Sequence, residues 1–203
     1  MYGVSVPRLW EETVDAHRRS VDEAIVSATG ELVAEKGLAS VTMSQIAARA
    51  GIGRATLYKY YPDVESILVA WHERQISAHL AQLSELGHQP GPPLRRLRAV
   101  LRAYATNSRQ RHGDQQLASL LHSAEHVQRA QAHLRGFVAG LISEAAAAGE
   151  VRSDVPAEEL AAYCLHALTA AGSLPSTAAV GRLVDVTLSG LQPPQPSYYT
   201  RVT

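Results

Sequence analysis

Apolar residues recur three and four positions apart along most of the chain, and this spacing predicts α-helices throughout. Glycines, prolines and capping residues divide the pattern into segments of helical length. The expected fold class is therefore all-α, with about nine helices. The helices are predicted over residues 10–35, 43–50, 54–61, 63–86, 94–110, 114–122, 124–148, 156–171 and 176–191.

The first predicted helix has one apolar face and is closed by Lys36 and Gly37. Further along, the proline-containing segment from Gly87 to Pro93 cannot stay helical and is the clearest linker. After residue 191 the chain is again rich in proline, and we expect a disordered tail there. The residues expected on the inner face of the first helix are Val14, Val21, Ile25, Ala28, Leu32 and Val33.

Between Ser40 and Leu68 the pattern changes to two short helices separated by a glycine. Thr42 and Gln45 have the spacing of a capping box, which predicts a helix that begins near residue 43. Gly51 follows where a left-handed residue is needed to end that helix and turn the chain. Together these signals predict a helix-turn-helix.

The second of these two helices has a distinct inner and outer side. Leu57 and Tyr61 are four residues apart and are expected to point inward. An outer side left free in this way suits insertion into a groove of a partner molecule. The residues on or near that outer side are Arg54, Ala55, Tyr58 and Lys59.

Charge indicates what the partner is. The whole chain is neutral, with 19 basic and 19 acidic residues, but the segment from Lys36 to Tyr61 contains no Asp or Glu. Its four cations are Lys36, Arg49, Arg54 and Lys59. In recognition of duplex DNA, phosphate contacts set the position and a few side chains read base edges. We therefore predict a DNA-binding element; the alternative is a solvated charged helix over a small core.

Composition narrows the remaining classes of function. The 203 residues are 46% hydrophobic and 5% aromatic, which favours helices and allows one large or two small domains. We find no apolar run long enough for a membrane span or a signal peptide, and expect a cytoplasmic protein. The single cysteine, Cys164, excludes an internal disulfide and is expected to be buried. Since no catalytic constellation is found, neither an enzyme nor a cofactor is predicted.

From Ile25 to Leu68 the chain resembles the TetR family of bacterial transcriptional regulators almost position by position. The resemblance rests on the glycine that closes the first helix, the Thr-x-x-Gln-Ile-Ala opening, the Ala-Gly turn, the Thr-Leu-Tyr core and the aromatic-Pro junction. A weaker similarity covers the segment AGEVRSDVPAEELAAYCLHALTAAGS. Residues 88–148 are similar to the family only in being helical.

The resemblance implies a homodimer that binds a palindromic operator, usually as a repressor. A small molecule would enter the C-terminal domain and spread the two DNA-binding elements apart. The DNA-binding residues carried over by position are Thr42, Ser44, Arg54, Ala55, Thr56, Tyr58, Lys59 and Tyr60. The first two would contact phosphate, the next three would face base edges and the last three would hold the DNA backbone. The chain departs from the family at Gly53, usually a serine cap, and at Val64, often a phosphate-binding lysine.

The expected organisation has four parts: a flexible arm over residues 1–9, a helix-turn-helix DNA-binding domain over 10–62, a helical effector-binding and dimerisation domain over 63–191, and the disordered tail over 192–203. The last two helices are rich in alanine and glycine, and such faces allow close helix packing. Packing within one subunit and pairing across a two-fold axis both fit. Because one short recognition helix reads few base pairs, we favour a homodimer formed through residues 156–191.

An apolar effector pocket is expected between the middle helices, although each candidate is also a plausible core residue. The candidates are Trp71, Leu101, Tyr104, Leu121, Phe137, Tyr163 and His166. His122 and His126 are four residues apart and, with His133, raise the alternative of a metal-responsive regulator. No cluster of Cys, Asp or Glu supports them, so no metal site is predicted. A helical protein-binding adaptor is a further alternative, but it leaves the acid-free segment unexplained.

Overall fold

The computed structural model describes the backbone of residues 8–110 and 125–194. Within these ranges there are eight α-helices and no strand, which confirms the all-α class. The helices are α1 (Arg8–Lys36), α2 (Met43–Arg49), α3 (Arg54–Tyr60), α4 (Val64–Gly87), α5 (Pro93–Gln110), α6 (Glu125–Ala147), α7 (Ala157–Thr169) and α8 (Thr177–Ser189). Short 3-10 helices cover Leu38–Ser40 and Ala170–Ser173. The helix predicted over residues 114–122 lies outside the described residues.

The chain divides into two compact units, one ending at Gln75 and the other beginning at Ile76. The division falls within α4, later than the boundary expected after residue 62. Arg74 forms an ion pair with Asp22 of α1, which ties the first half of α4 to the first unit. At the other end, α1 begins at Arg8, so the last two residues of the predicted arm, 8 and 9, are helical. The boundaries of independently folding domains stay a prediction.

In the first unit, α1 packs against α2, and α2 packs against α3. The prediction that Val14 lies on the inner face of α1 is wrong, because its side chain is 60% exposed. All residues from 13 to 20 are exposed, so this end of α1 extends past the elements on which the helix packs. The buried side chains of α1 and α2 include Ile25, Val26, Ala28, Thr29, Leu32, Val33, Met43, Ile46 and Ala47.

The ends of the short helices follow the signals in the sequence. The amide of Gln45 donates to Oγ1 of Thr42 at 3.4 Å, and the amide of Thr42 donates to Oε1 of Gln45 at 3.0 Å, which completes the capping box. Gly51 has a φ of 68°, the left-handed conformation predicted for the turn. At the start of α4, Oδ1 of Asp63 accepts from the amide of Ser66 at 2.8 Å, as expected of a cap.

The second unit is organised around α5, which packs against α6, α7, α8 and the second 3-10 helix. Its buried cluster includes Leu83, Leu97, Val100, Leu101, Ala105, Val138, Leu141, Ile142, Leu160, Leu168, Val184 and Leu188. Cys164 is fully buried in this cluster, and burial raises the pKa of its thiol to about 12. At neutral pH the thiol is therefore protonated and unreactive. Among the described helices, none combines the length and the apolar character needed to cross a lipid bilayer.

Candidate nucleic-acid interface

The short helix α3 has one buried anchor and an exposed outer side. Leu57 is fully buried and fixes the helix against the first unit. Arg54, Ala55 and Lys59 are exposed, and Tyr58 is 49% exposed. The structure therefore places on one open edge the four side chains that helical spacing assigned to it. We call this edge, Arg54, Ala55, Tyr58 and Lys59, the α3 edge. The two other candidates on this helix, Thr56 and Tyr60, are half-buried beside it.

The C-terminal end of α3 is held by a polar centre that connects three helices. The hydroxyl of Tyr61 donates to Oδ1 of Asp22 at 2.6 Å, and Arg74 pairs with the other carboxylate oxygen. Burial, and then the hydrogen bond to Asp22, raise the pKa of Tyr61 well above its usual value. The phenol therefore stays a hydrogen-bond donor at physiological pH. Asp22 of α1 joins the end of α3 to Arg74, near the middle of α4.

At its N-terminal end, α3 begins without a side-chain cap. Gly53 occupies the N-cap position with extended backbone and makes no side-chain hydrogen bond. In line with the missing capping serine noted from the sequence, no described side chain caps α3, and the amide of Thr56 donates to the carbonyl oxygen of Gly53 at 3.0 Å. Gly53 also adds no bulk beside the exposed Arg54.

The N-terminal end of α2 carries the two expected phosphate ligands, Thr42 and Ser44, and both are exposed. The capping box occupies the backbone N–H of Thr42 and the acceptor face of its hydroxyl. The hydroxyl proton of Thr42 remains available, because a hydroxyl donates and accepts at once. The first intrahelical bond runs from Ile46 to Thr42, so the N–H of Ser44 precedes the bonded part of the helix.

Arg49 was counted among the cations of the acid-free segment, but its charge is neutralised by α1. Its guanidinium donates to Glu31 at 3.0 Å and to both carboxylate oxygens of Glu35 at 2.9 and 2.8 Å. The hydrogen bond to Arg49 holds the pKa of Glu35 below its usual value. In the described residues, no carboxylate pairs with Arg54 or Lys59. The free positive charge of α2 and α3 is thus concentrated on the α3 edge.

The acidic partners of Arg49 could not be found from the acid-free segment alone. They lie 18 and 14 residues away along the chain, on another helix. The one available signal was the position of Glu31 and Glu35 on one face of α1, four residues apart.

The structure does not gather the effector candidates around one cavity. Leu101 is fully buried in the core of the second unit, and Tyr104 packs against that core. Phe137 is stacked with His88, with ring centroids 5.9 Å apart. Trp71 belongs to the first unit, and its indole lies so close to Gly30 that a Cβ there would be 2.6 Å from Nε1.

The remaining effector candidates lie on the outside of the second unit or beyond the described residues. Tyr163 is 45% exposed, and His166, one helical turn later on α7, is also exposed. Leu121 lies outside the described residues. Of the histidines considered for a metal, His133 is exposed on α6, whereas His122 and the side chain of His126 are outside the described part. No group of three His, Cys, Asp or Glu in the described part is placed to hold a metal ion.

Known families match the chain in two places. Residues 25–70 match the sequence model of the family described as bacterial regulatory proteins, tetR family. Residues 93–193 match a second one, described as the C-terminal domain of SbtR-like transcriptional regulators. The second match extends across the middle helices, where the sequence itself suggested similarity only in secondary structure.

Individual relatives agree with these matches. An HTH-type transcriptional regulator of Mycobacterium tuberculosis is 30% identical over 168 residues, which cover 79% of this chain and 84% of that protein. The crystal structure of a TetR/AcrR-family regulator from Thermobifida fusca superposes with a TM-score of 0.70 at 21% identity, covering 89% of this chain and 98% of that one. A TetR regulator from Streptomyces coelicolor is 26% identical with a TM-score of 0.61, covering 86% and 99%.

Proposed function

Because the chain belongs to the TetR family of bacterial regulatory proteins, we propose that it binds a palindromic operator as a homodimer, represses transcription there and is released by a small-molecule effector. The observation that supports DNA binding most directly is the α3 edge, which is open, cationic and anchored from behind by the buried Leu57. Since the proposed target is chromosomal DNA, we place the protein in the cytoplasm.

In this proposal α3 is the recognition helix and enters the major groove. Arg54 donates to a guanine, the methyl group of Ala55 lies against a thymine, and Thr56 faces a neighbouring base edge. Tyr58, Lys59 and Tyr60 hold the sugar-phosphate backbone. The exposure of Arg54, Ala55, Tyr58 and Lys59 supports these roles, whereas half-buried Thr56 and Tyr60 have less surface to offer.

The N-terminal end of α2 contributes the neighbouring phosphate contacts. Thr42 donates its hydroxyl proton, since its oxygen and its backbone N–H are already used by the capping box. Ser44 donates through its hydroxyl and its backbone N–H. Arg49, tied to Glu31 and Glu35, positions α2 against α1 and is not assigned a contact with DNA.

The homodimer is proposed to form through residues 156–191. On α7, α8 and the 3-10 helix between them, the side chains directed away from the core include small or apolar residues, among them Ala170 and the 64% exposed Val186. Such a surface allows two helix pairs to pack across a two-fold axis. Sedimentation at micromolar concentration should give the mass of two chains, and a monomeric mass would overturn this part of the proposal.

The effector is proposed to bind in the second unit, among the middle helices. Leu101 and Tyr104 of α5 and Phe137 of α6 lie in or against its apolar core, so a ligand entering there would be largely apolar. Tyr163 and His166 would take part only from the outer side of α7. A compound of this class should dissociate a preformed operator complex, and Tyr104→Ala should change the concentration that is required.

The DNA-binding proposal is tested by selecting bound fragments from the source genome and titrating the selected duplex with wild-type protein and Arg54→Ala. We expect Arg54→Ala to relax discrimination by about 1–3 kcal/mol at one base pair. Tyr58→Phe should weaken binding to most sequences without changing their ranking. An unchanged sequence preference in Arg54→Ala would show that the docking of α3 is wrong, and failure to select any duplex would favour the adaptor.

A further inference from the structure

A cavity of about 190 Å³ lies in the second unit between α5 and α8. Its walls carry three arginines and one carboxylate, Arg98, Arg102, Arg182 and Asp185. Its floor includes Gly181 and the side chain of Val184, which is only 2% exposed. None of the seven effector candidates contributes to this lining, and neither does any residue of the α3 edge.

The charges of this cavity do not balance. Arg98 pairs with Asp185, which is the one carboxylate among the described residues that line the cavity. Neither Arg102 nor Arg182 pairs with a carboxylate in residues 8–110 and 125–194. Both arginines are exposed, so two solvated guanidinium groups have no carboxylate partner in the described part of the chain and lie beside the buried Val184.

The helix positions explain why these groups converge. Arg98 and Arg102 are four residues apart on α5, and Arg182 and Asp185 are three apart on α8, so each pair shares one helix face. A Cβ at Gly181 would lie 4.0 Å from Nη2 of Arg102, which is van der Waals distance, so the guanidinium of Arg102 reaches across to α8 at this position.

Arg109, on the same side of α5, is an arginine whose hydrogen bonds have a structural role. Arg109 donates to Oγ1 of Thr177 at 3.3 Å and to the carbonyl oxygen of Pro175 at 3.2 Å. These bonds hold the beginning of α8 against α5. Arg102 lies between Arg98 and Arg109 along the helix, yet no hydrogen bond in the described residues involves its guanidinium.

We propose that the cavity binds a small oxyanion with two or more negative charges, of the phosphate type. The planar guanidinium fork matches the oxygens of phosphate and donates two parallel hydrogen bonds to them. A volume of about 190 Å³ is large enough for phosphate or pyrophosphate. The site is separate from the operator-binding surface and does not depend on it.

The test is calorimetric titration of the full-length protein with inorganic phosphate and with pyrophosphate, at ionic strength matched with chloride. We expect saturable binding to wild type and affinity reduced by roughly fivefold to tenfold in each of Arg102→Gln and Arg182→Gln. Arg95→Gln removes the same charge from an exposed position of α5 outside the lining and should bind like wild type. Phosphate bound as tightly as pyrophosphate would indicate a site for one phosphate group.

Removing a negative charge from the cavity, in place of a positive one, distinguishes a specific site from a general attraction of anions to the protein. Asp185→Asn removes the carboxylate that occupies Arg98, and we expect it to tighten phosphate binding a few-fold. Circular dichroism and the sedimentation mass of each variant serve as controls, since Arg182 and Asp185 lie in the proposed dimer segment. Equal affinity in wild type, Arg102→Gln and Arg182→Gln would overturn the proposal. The proposal would also be overturned if wild type bound no phosphate and both Arg102→Gln and Arg182→Gln lost the dimer. The arginines would then pair with a second copy of the chain.

Discussion

The two compact units are stabilised in different ways. The first relies on short helices whose ends and contacts are set by polar groups: the capping box of Thr42, the ion pairs of Arg49 and the carboxylate of Asp22. The second has one extensive apolar cluster to which every helix from α5 to α8 contributes. The difference indicates that the first unit, whose apolar core is smaller, depends more on individual polar contacts, whereas the second depends mainly on collective burial. Single polar substitutions should therefore affect the first unit more selectively.

The largest expected loss of stability comes from creating a cavity in the apolar core of the second unit. Leu101→Ala removes a fully buried side chain from the apolar cluster and should lower the free energy of unfolding by about 2–5 kcal/mol. Urea denaturation followed by circular dichroism measures this change. Val14→Ala, at a side chain that is 60% exposed, is the control and should stay within about 0.5 kcal/mol of wild type. A small effect of Leu101→Ala would mean that burial does not dominate the second unit.

The next effect concerns the polar centre of the first unit. Asp22→Ala leaves the hydroxyl of Tyr61 and the guanidinium of Arg74 without their acceptor and should cost about 1–3 kcal/mol. Tyr61→Phe removes only one hydrogen bond and should cost about 0.5–1.5 kcal/mol. The double variant separates the two contributions. Strictly additive losses in it would show that the two side chains do not act as one centre.

A smaller effect is expected at the capping box. Thr42→Ala removes the oxygen that accepts from the amide of Gln45 and should destabilise the protein by about 1 kcal/mol. Thr42→Ser keeps that oxygen and should remain near wild type. Thermal unfolding of the pair measures the cap directly, and equal losses in both variants would assign the effect to the lost methyl group instead.

The smallest effect is the pH dependence of the Arg49 cluster. The hydrogen bond from Arg49 depresses the pKa of Glu35 below its ordinary value of 4.5. A depressed pKa stabilises the folded state above the unfolded value, and this contribution is lost as the pH falls through the folded value. Glu35→Gln should therefore flatten the loss of stability below about pH 4.5 in acid titration. Parallel curves of stability against pH for wild type and Glu35→Gln would exclude a contribution from the ion pair between Glu35 and Arg49.

The contrast between the units also explains what the sequence could predict. Caps and turns depend on residues three or four apart, so Thr42, Gly51 and the outward side of α3 were predicted correctly. The contact between Tyr61 and Asp22 joins residues 39 apart, and that between Arg74 and Asp22 joins residues 52 apart. Such contacts depend on how the helices pack, and helical periodicity carries no information about them.

Two further outcomes show the same limit. Periodicity placed Val14 on an inner face, but the face is buried only where another element covers it, and α1 extends past that cover. The effector candidates were predicted from their residue type and from a pocket expected between the middle helices, yet Trp71 lies in the first unit. A side-chain type does not distinguish a core residue such as Leu101 from the wall of a ligand site.

The central claim is that the α3 edge is a cationic surface that binds duplex DNA. The most direct measurement is the salt dependence of binding to a selected operator, for wild type, Lys59→Ala and the control Arg95→Gln in the other unit. We predict that the affinity of wild type falls steeply with salt. For Lys59→Ala, the slope of log affinity against log salt concentration should be shallower by about one for each bound protomer. Arg95→Gln should keep the wild-type slope. Wild-type binding that is insensitive to salt, or equal slopes for wild type and Lys59→Ala, would contradict the claim.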